Sequence, residues 1–202
     1  MSIGKTLSFS SVYDDFYTKI LHYLRQLVGE FDAEEVTQTV FEKISKNLSS
    51  FKGDSTISTW VYKIATNTAL DRLKSQSYKH SYSGPLAPLP IDLLEMKSPV
   101  FSTSRELAPP DKKVIRDEMS GCIREFVDRL PPDYRTIIVL KQFKGFTNKE
   151  IAEILDISVD TAKIRLHRAR ARLKESLANG CDFYVDERSV LACDRKQSSE
   201  KK

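Results

Sequence analysis

The sequence predicts an all-α protein of two small helical domains joined by a flexible linker, the C-terminal one a helix-turn-helix. Three observations carry this. Apolar residues recur at spacings of three and four along residues 11–75 and again from about 111 to 178. No stretch shows sustained period-two alternation and no internal repeat is found. Between the two blocks, Ser75 to about Pro110 is rich in Ser and Pro (SYSGPLAPLP, KSPVFSTS, APP), which remove donors and block regular helix. A chain of 202 residues has room for such a pair of modest cores. The expected boundaries are 8–76 for the first domain, 77–112 for the linker, 113–178 for the second domain and 179–202 for a C-terminal extension.

In order along the chain, Phe16, Ile20 and Leu24 form a stripe on a first helix, and Val36, Val40, Ile44 and Leu48 form one on a second. After the short turn Phe51-Lys52-Gly53-Asp54, Ser55 to Lys74 carries Ile57, Trp60, Val61, Ile64 and Ala65 on one side, with Ser55 or Ser58 placed to cap its start. Trp60 is ambiguous: its spacing with Ile64 fits burial, and contact with a base is the other reading. The linker residues, at up to ~3.3 Å each, span well over 100 Å when extended, so the two blocks can sit on separate segments of a long ligand. A second block begins near Asp111, where Val114, Met119, Ile123, Phe126, Val127 and Leu130 keep helical spacing until Pro131-Pro132 stops it.

Tyr134 to Phe143 then gives a helix ended by Gly145. Thr147 and Glu150 make a capping box for the next, in which Ile151, Ile154 and Leu155 face the core. Ser158-Val159-Asp160 turns the chain and caps a third helix, whose buried face is Ala162, Leu166, Ala169 and Leu173. Lys163, His167, Arg170 and Lys174 repeat at the same spacing beside it, and Arg165, Arg168 and Arg172 widen the basic surface. A net charge of +4 is too mild to argue for nucleic acid by itself. Its concentration on the helix after a capped helix and tight turn matches a recognition helix, which enters the major groove with its first turns and meets phosphates with later cations.

Enzyme chemistry is poorly supported. There is no Gly-rich phosphate loop, HExxH or CxxC, and the three histidines, His22, His80 and His167, are scattered. Asp14 with Asp15 reads as a helix N-terminal pair. No catalytic residue, cofactor or metal is expected. No apolar run approaches the ~18 residues of a membrane helix, and the first residues lack a signal-peptide stretch, so membrane insertion is not expected and a cytoplasmic location is. An odd number of cysteines, three, fits reduced thiols.

The run LPPDYRTIIVLKQFKGFTNKEIAEILDISVDTAKIRLHRARARLKESL resembles the C-terminal DNA-binding domain of bacterial sigma factors, closest to the extracytoplasmic-function group. DAEEVTQTVFEKISKNLSSFKGDSTISTWVYKIATNTALDRLKSQ resembles that group's other conserved domain, in the same order and separated by a linker. The resemblance implies a factor that binds core RNA polymerase and directs it to promoter DNA, monomeric when free and held by an anti-sigma factor. It places Asp32, Glu35, Gln38 and Phe41 at the polymerase-docking motif, although Phe41 with Ile44 and Leu48 also fits a core. It assigns the turn Lys52, Gly53, Asp54 and Ser55, with Lys63, Asn67, Arg72 and Lys74 along one side of the following helix, to the minus-ten element. It assigns Thr161, Lys163, Arg165, His167, Arg168 and Arg170 to the minus-thirty-five element. Ala162 stands where relatives often carry a larger aliphatic residue, and Ile164 where many carry a small polar one. A conventional helix-turn-helix regulator needs no polymerase-docking motif, and no obvious dimerisation helix is present.

The segment ANGCDFYVDERSVLACDRKQSSEKK extends past the group's usual end. Cys181 and Cys193 alone make a poor metal site, and the nearest further thiol in sequence, Cys122, precedes the DNA-binding helices. An ordinary extension with incidental thiols is the simpler reading; a redox switch or a partner-docking segment is the other.

Overall fold

The computed structural model describes residues 8–79, 122–185 and 191–196. Most of the expected linker, and the start of the second block with Val114 and Met119, lie outside the described residues. Helix α1 spans Phe9–Val28, α2 Glu30–Asn47 and α3 Ile57–Lys79. Residues 122–128 form α4, followed by α5 (Pro132–Ile138), α6 (Asn148–Leu155) and α7 (Val159–Gly180).

Helices α1, α2 and α3 pack as a three-helix bundle. The α1 stripe Val12, Phe16, Ile20, Tyr23, Leu24 and Leu27 is buried, and Val36, Val40, Phe41 and Ile44 of α2 meet it, as the spacing predicts. A turn at Gly29, with φ of +85°, separates α1 from α2 in a conformation that favours glycine. The cap of α3 differs from expectation. Thr56, between the two serines considered, accepts a hydrogen bond from the Thr59 amide at 3.1 Å, because the helix starts at Ile57. Trp60 is half-buried against Phe51, ring centroids 5.4 Å apart.

The second block packs α5 to α7 around Ile137, Ile138, Leu140, Ile151, Ile154 and Leu166, with Val127 and Leu130 closing one side. Proline at the start of α5 removes one of the amide donors that a helix start leaves unpaired. The predicted helix from Tyr134 to Phe143 ends in a π-turn at Val139–Phe143, and Gly145, at φ +76°, terminates it.

Two features add to the predicted layout. The two blocks touch: one buried cluster runs through both, Tyr62 and Phe146 meeting at 4.9 Å between ring centroids. Arg135 Nη1 donates to the Leu27 carbonyl at 2.9 Å, and Lys63 Nζ lies 3.3 Å from Asp156. Second, the all-α reading omits a hairpin. Strands β1 (Cys181–Val185) and β2 (Leu191–Arg195) pair antiparallel, Cys181 opposite Arg195 and Phe183 opposite Cys193. Each strand is only five residues long, too short for its alternation of Cys181 and Phe183 with Asp182 and Tyr184 to stand out.

Candidate nucleic-acid and polymerase interface

The helix-turn-helix is built by local hydrogen bonds that the sequence announces. Thr147 caps α6: its hydroxyl accepts from the Glu150 amide at 3.2 Å, while the Glu150 carboxylate accepts from the Thr147 amide at 2.8 Å. The Thr147 amide, and the Thr147 hydroxyl donating to the same carboxylate at 2.7 Å, hold the Glu150 carboxyl below the usual carboxylate range. Asp156 ends α6 in the left-handed region at φ +55°, and Ser158 caps α7 by accepting from the Thr161 amide at 3.1 Å. Ala162, Leu166 and Ala169 are buried; Leu173 is only half-buried. The alanines bring α7 close to its neighbours.

On the opposite side of α7, Thr161, Lys163, His167, Arg168 and Arg170 are exposed, and Arg165 is half-buried. Ile164 is 54% exposed among them. The acidic residues of this helix are each paired with one of its own cations, Asp160 with Lys163 and Glu175 with Arg172, both at 3.1 Å. Such exposed pairs contribute ~1 kcal/mol or less, so a phosphate displaces them readily. Arg170 lies against Gln142, whose side-chain oxygen accepts from Nε and Nη2 at 3.2 and 2.8 Å in the amide orientation that satisfies both groups.

In the first block the predicted sets divide differently. Lys52, Gly53 and Asp54 are exposed in the turn before α3, Gly53 at φ +79°, and Ser55 is half-buried. Lys63, Asn67 and Lys74 share one side of α3, whereas Arg72 does not. Nine residues after Lys63 is two and a half turns, which places Arg72 opposite. There its guanidinium donates to Asp32 at 2.8 Å and Glu35 at 3.1 Å, tying α3 to α2. Asp32 is buried in that pair. Phe41 is buried too, 4.9 Å from the Tyr13 ring and 5.7 Å from that of Tyr17. Of the four docking-motif residues, Glu35 and Gln38 remain on the surface. Sequence reading missed Phe31, which stands beside them on the first turn of α2 with 97% of its surface exposed. The signal was an aromatic off the apolar stripe.

At the far end of α7 the three cysteines meet. Cys122 and Cys181 sulfurs lie 3.8 Å apart, and all three lie within 4.8 Å of one another. Burial, then the neighbouring thiols, push the Cys181 thiol up to about 11.

A helical bundle with a polar edge on its second helix, followed by a capped helix-turn-helix with a basic second helix, is the arrangement expected of a transcription-initiation protein of the sigma type. The family description "Sigma-70 region 2" matches residues 12–78, and "Sigma-70, region 4" matches residues 120–173. The chain is 32% identical over 175 residues to the ECF RNA polymerase sigma factor SigW of Bacillus subtilis, covering 86% of this chain and 91% of that one. It is 29% identical over 170 residues to the ECF RNA polymerase sigma-E factor of Escherichia coli K12, covering 83% and 85%. The sigma factor RpoE of Bartonella quintana, solved with the anti-sigma factor NepR, has a similar fold, with a TM-score of 0.58 at 20% identity over 84% of this chain and 96% of that one. The chain belongs to the ECF RNA polymerase sigma factors, a family not generally enzymatic. Among the described residues no helix is long and apolar enough to cross a membrane.

Proposed function

We propose that this sigma factor docks on core RNA polymerase through the edge of α2 bearing Phe31, Glu35 and Gln38, and reads promoters with α7 and the 52–55 turn. The observation that carries this is the division of exposed groups. The basic face of α7 projects from a capped helix-turn-helix, while the acidic and aromatic edge of α2 lies on the other block.

Lys163, Arg165, His167, Arg168 and Arg170, with Thr161, meet the minus-thirty-five element. A bidentate arginine–guanine pair there discriminates by ~1–3 kcal/mol. The turn Lys52, Gly53, Asp54 and Ser55 receives an extruded base of the minus-ten element, while Lys63, Asn67 and Lys74 hold the strand. Extrusion costs a few kcal/mol, which stacking and edge hydrogen bonds return. Arg72 acts by fixing α3 to α2. The bundle (8–76) and helix-turn-helix domain (113–178), joined by the 77–112 linker, engage separate DNA segments, and 179–202 is an extension. The factor works as a monomer in the cytoplasm. An anti-sigma protein that covers the docking surfaces restrains it; the solved complexes of RpoE with NepR and of CnrH with the cytosolic domain of CnrY support that reading.

Run-off transcription with sigma-free core polymerase and a promoter library tests the proposal. Wild type should give promoter-specific transcripts that both Glu35→Ala/Gln38→Ala and Arg165→Ala/Arg168→Ala lose, the first through core binding and the second through promoter choice. Duplex binding without core binding or transcripts would instead identify a conventional regulator.

A further inference from the structure

We propose that Cys122, Cys181 and Cys193 form a three-thiolate site for a thiophilic d10 cation of the zinc class. These are all the cysteines in the chain, drawn from α4, the junction of α7 with β1, and β2. Zinc–sulfur bonds of ~2.3 Å set tetrahedral sulfur–sulfur edges of ~3.8 Å. The Cys122–Cys181 separation is 3.8 Å, and the widest spacing in the trio, within 4.8 Å, needs a contraction of ~1 Å at most.

The surrounding structure is arranged to hold this trio. Because Cys181 pairs with Arg195 and Phe183 with Cys193, both hairpin cysteines lie on one face. Cys122 approaches that face from α4, and Glu125, one turn later on the same side of α4, forms an ion pair with Arg195. The two faces are thus clamped at a second point. Gly180 permits the approach: a Cβ there would fall 2.5 Å from the Phe126 ring of α4. Lys196 closes the other edge, its amide donating to the Gly180 carbonyl at 3.0 Å and its Nζ to that of Ala178 at 2.8 Å.

Cys181 is buried while Cys122 and Cys193 are half-buried, leaving the trio open on one side. No fourth His, Cys, Asp or Glu joins the group among the described residues. A tetrahedral ion would complete its shell with water or an external ligand on that side. A disulfide uses two sulfurs about 2.05 Å apart and gives the third no role, whereas a soft cation uses all three.

Anaerobic titration of the reduced full-length chain with Co2+ tests the site. The expected result is a thiolate-to-cobalt charge-transfer band saturating at one equivalent, with visible bands of tetrahedral cobalt, bleached by one equivalent of Zn2+. Zinc at a hundredfold its Kd should raise the melting midpoint by roughly 5–10 °C. Cys193→Ser should remove both responses while retaining the far-UV circular dichroism of the wild type. No charge-transfer band in the wild type would overturn the site, as would a band undiminished in Cys193→Ser. Loss of two thiols to peroxide without any cobalt signature would also overturn it, and would reassign the cluster as a redox pair.

Discussion

Phe31 shows how much a single side chain can indicate. An aromatic ring with 97% of its surface in water contributes little to the fold, so Phe31→Ala should leave the melting midpoint nearly unchanged. If the α2 edge docks on polymerase, the same change should weaken core binding by about tenfold or more in a titration, as buried aromatic anchors do. Arg72 and Asn67 make the complementary pair. Arg72→Ala removes the guanidinium that pairs with the buried Asp32 carboxylate and should lower the melting temperature; Asn67→Ala, at an exposed position, should spare stability and reduce transcription. The sequence placed Arg72 on the wrong side of α3 because a cation near others looks like part of the same strip until its helical angle is counted. Phe41 was ambiguous for a related reason. A motif with period three drifts around a helix of period 3.6, so its members cannot all face one partner.

Among the elements, those with local chemistry were legible. The capping box of α6, the Ser158 cap and the Gly145 stop each follow from two or three neighbouring residues, and the structure has all three. Thr147→Ala should destabilise the helix-turn-helix by about 1 kcal/mol in chemical denaturation. Glu150 ties this element to pH. Its folded pKa is depressed, so its stabilising contribution is complete above the ordinary carboxylate value of ~4.3 and fades as the pH falls through the lower folded value. Glu150→Gln should therefore flatten the acid side of a stability–pH profile. The hairpin was not legible, since its ten paired residues owe their order to α4 and to the end of α7, contacts remote in sequence.

For the whole molecule, the sequence predicted two small helical domains, and the structure joins them through one continuous buried cluster. Tyr62 and Phe146 each satisfy the apolar pattern of their own block, so nothing local shows that they meet. The contact also occupies Lys63, which bonds Asp156 at the tip of α6. Lys63 cannot serve that carboxylate and a DNA strand together. Dyes placed on α1 and α7 should lose energy transfer when core polymerase and promoter DNA are added. Lys63→Glu, which sets two carboxylates face to face, should lower the transfer efficiency of the free protein. Unchanged transfer on promoter binding would show that the closed arrangement itself is the active one.

The fusion of α7 to the hairpin has a mechanical consequence. Val159 to Gly180 is an uninterrupted helix of 22 residues, a rod of about 33 Å with exposed basic turns toward one end and the cysteine cluster at the other. Pivoted at one end, such a lever shifts its other tip by ~6 Å for a tilt of ~10°, more than the ~3.4 Å rise between base pairs. Whatever grips the hairpin at the end of α7 therefore has purchase on where the first turn of that helix points.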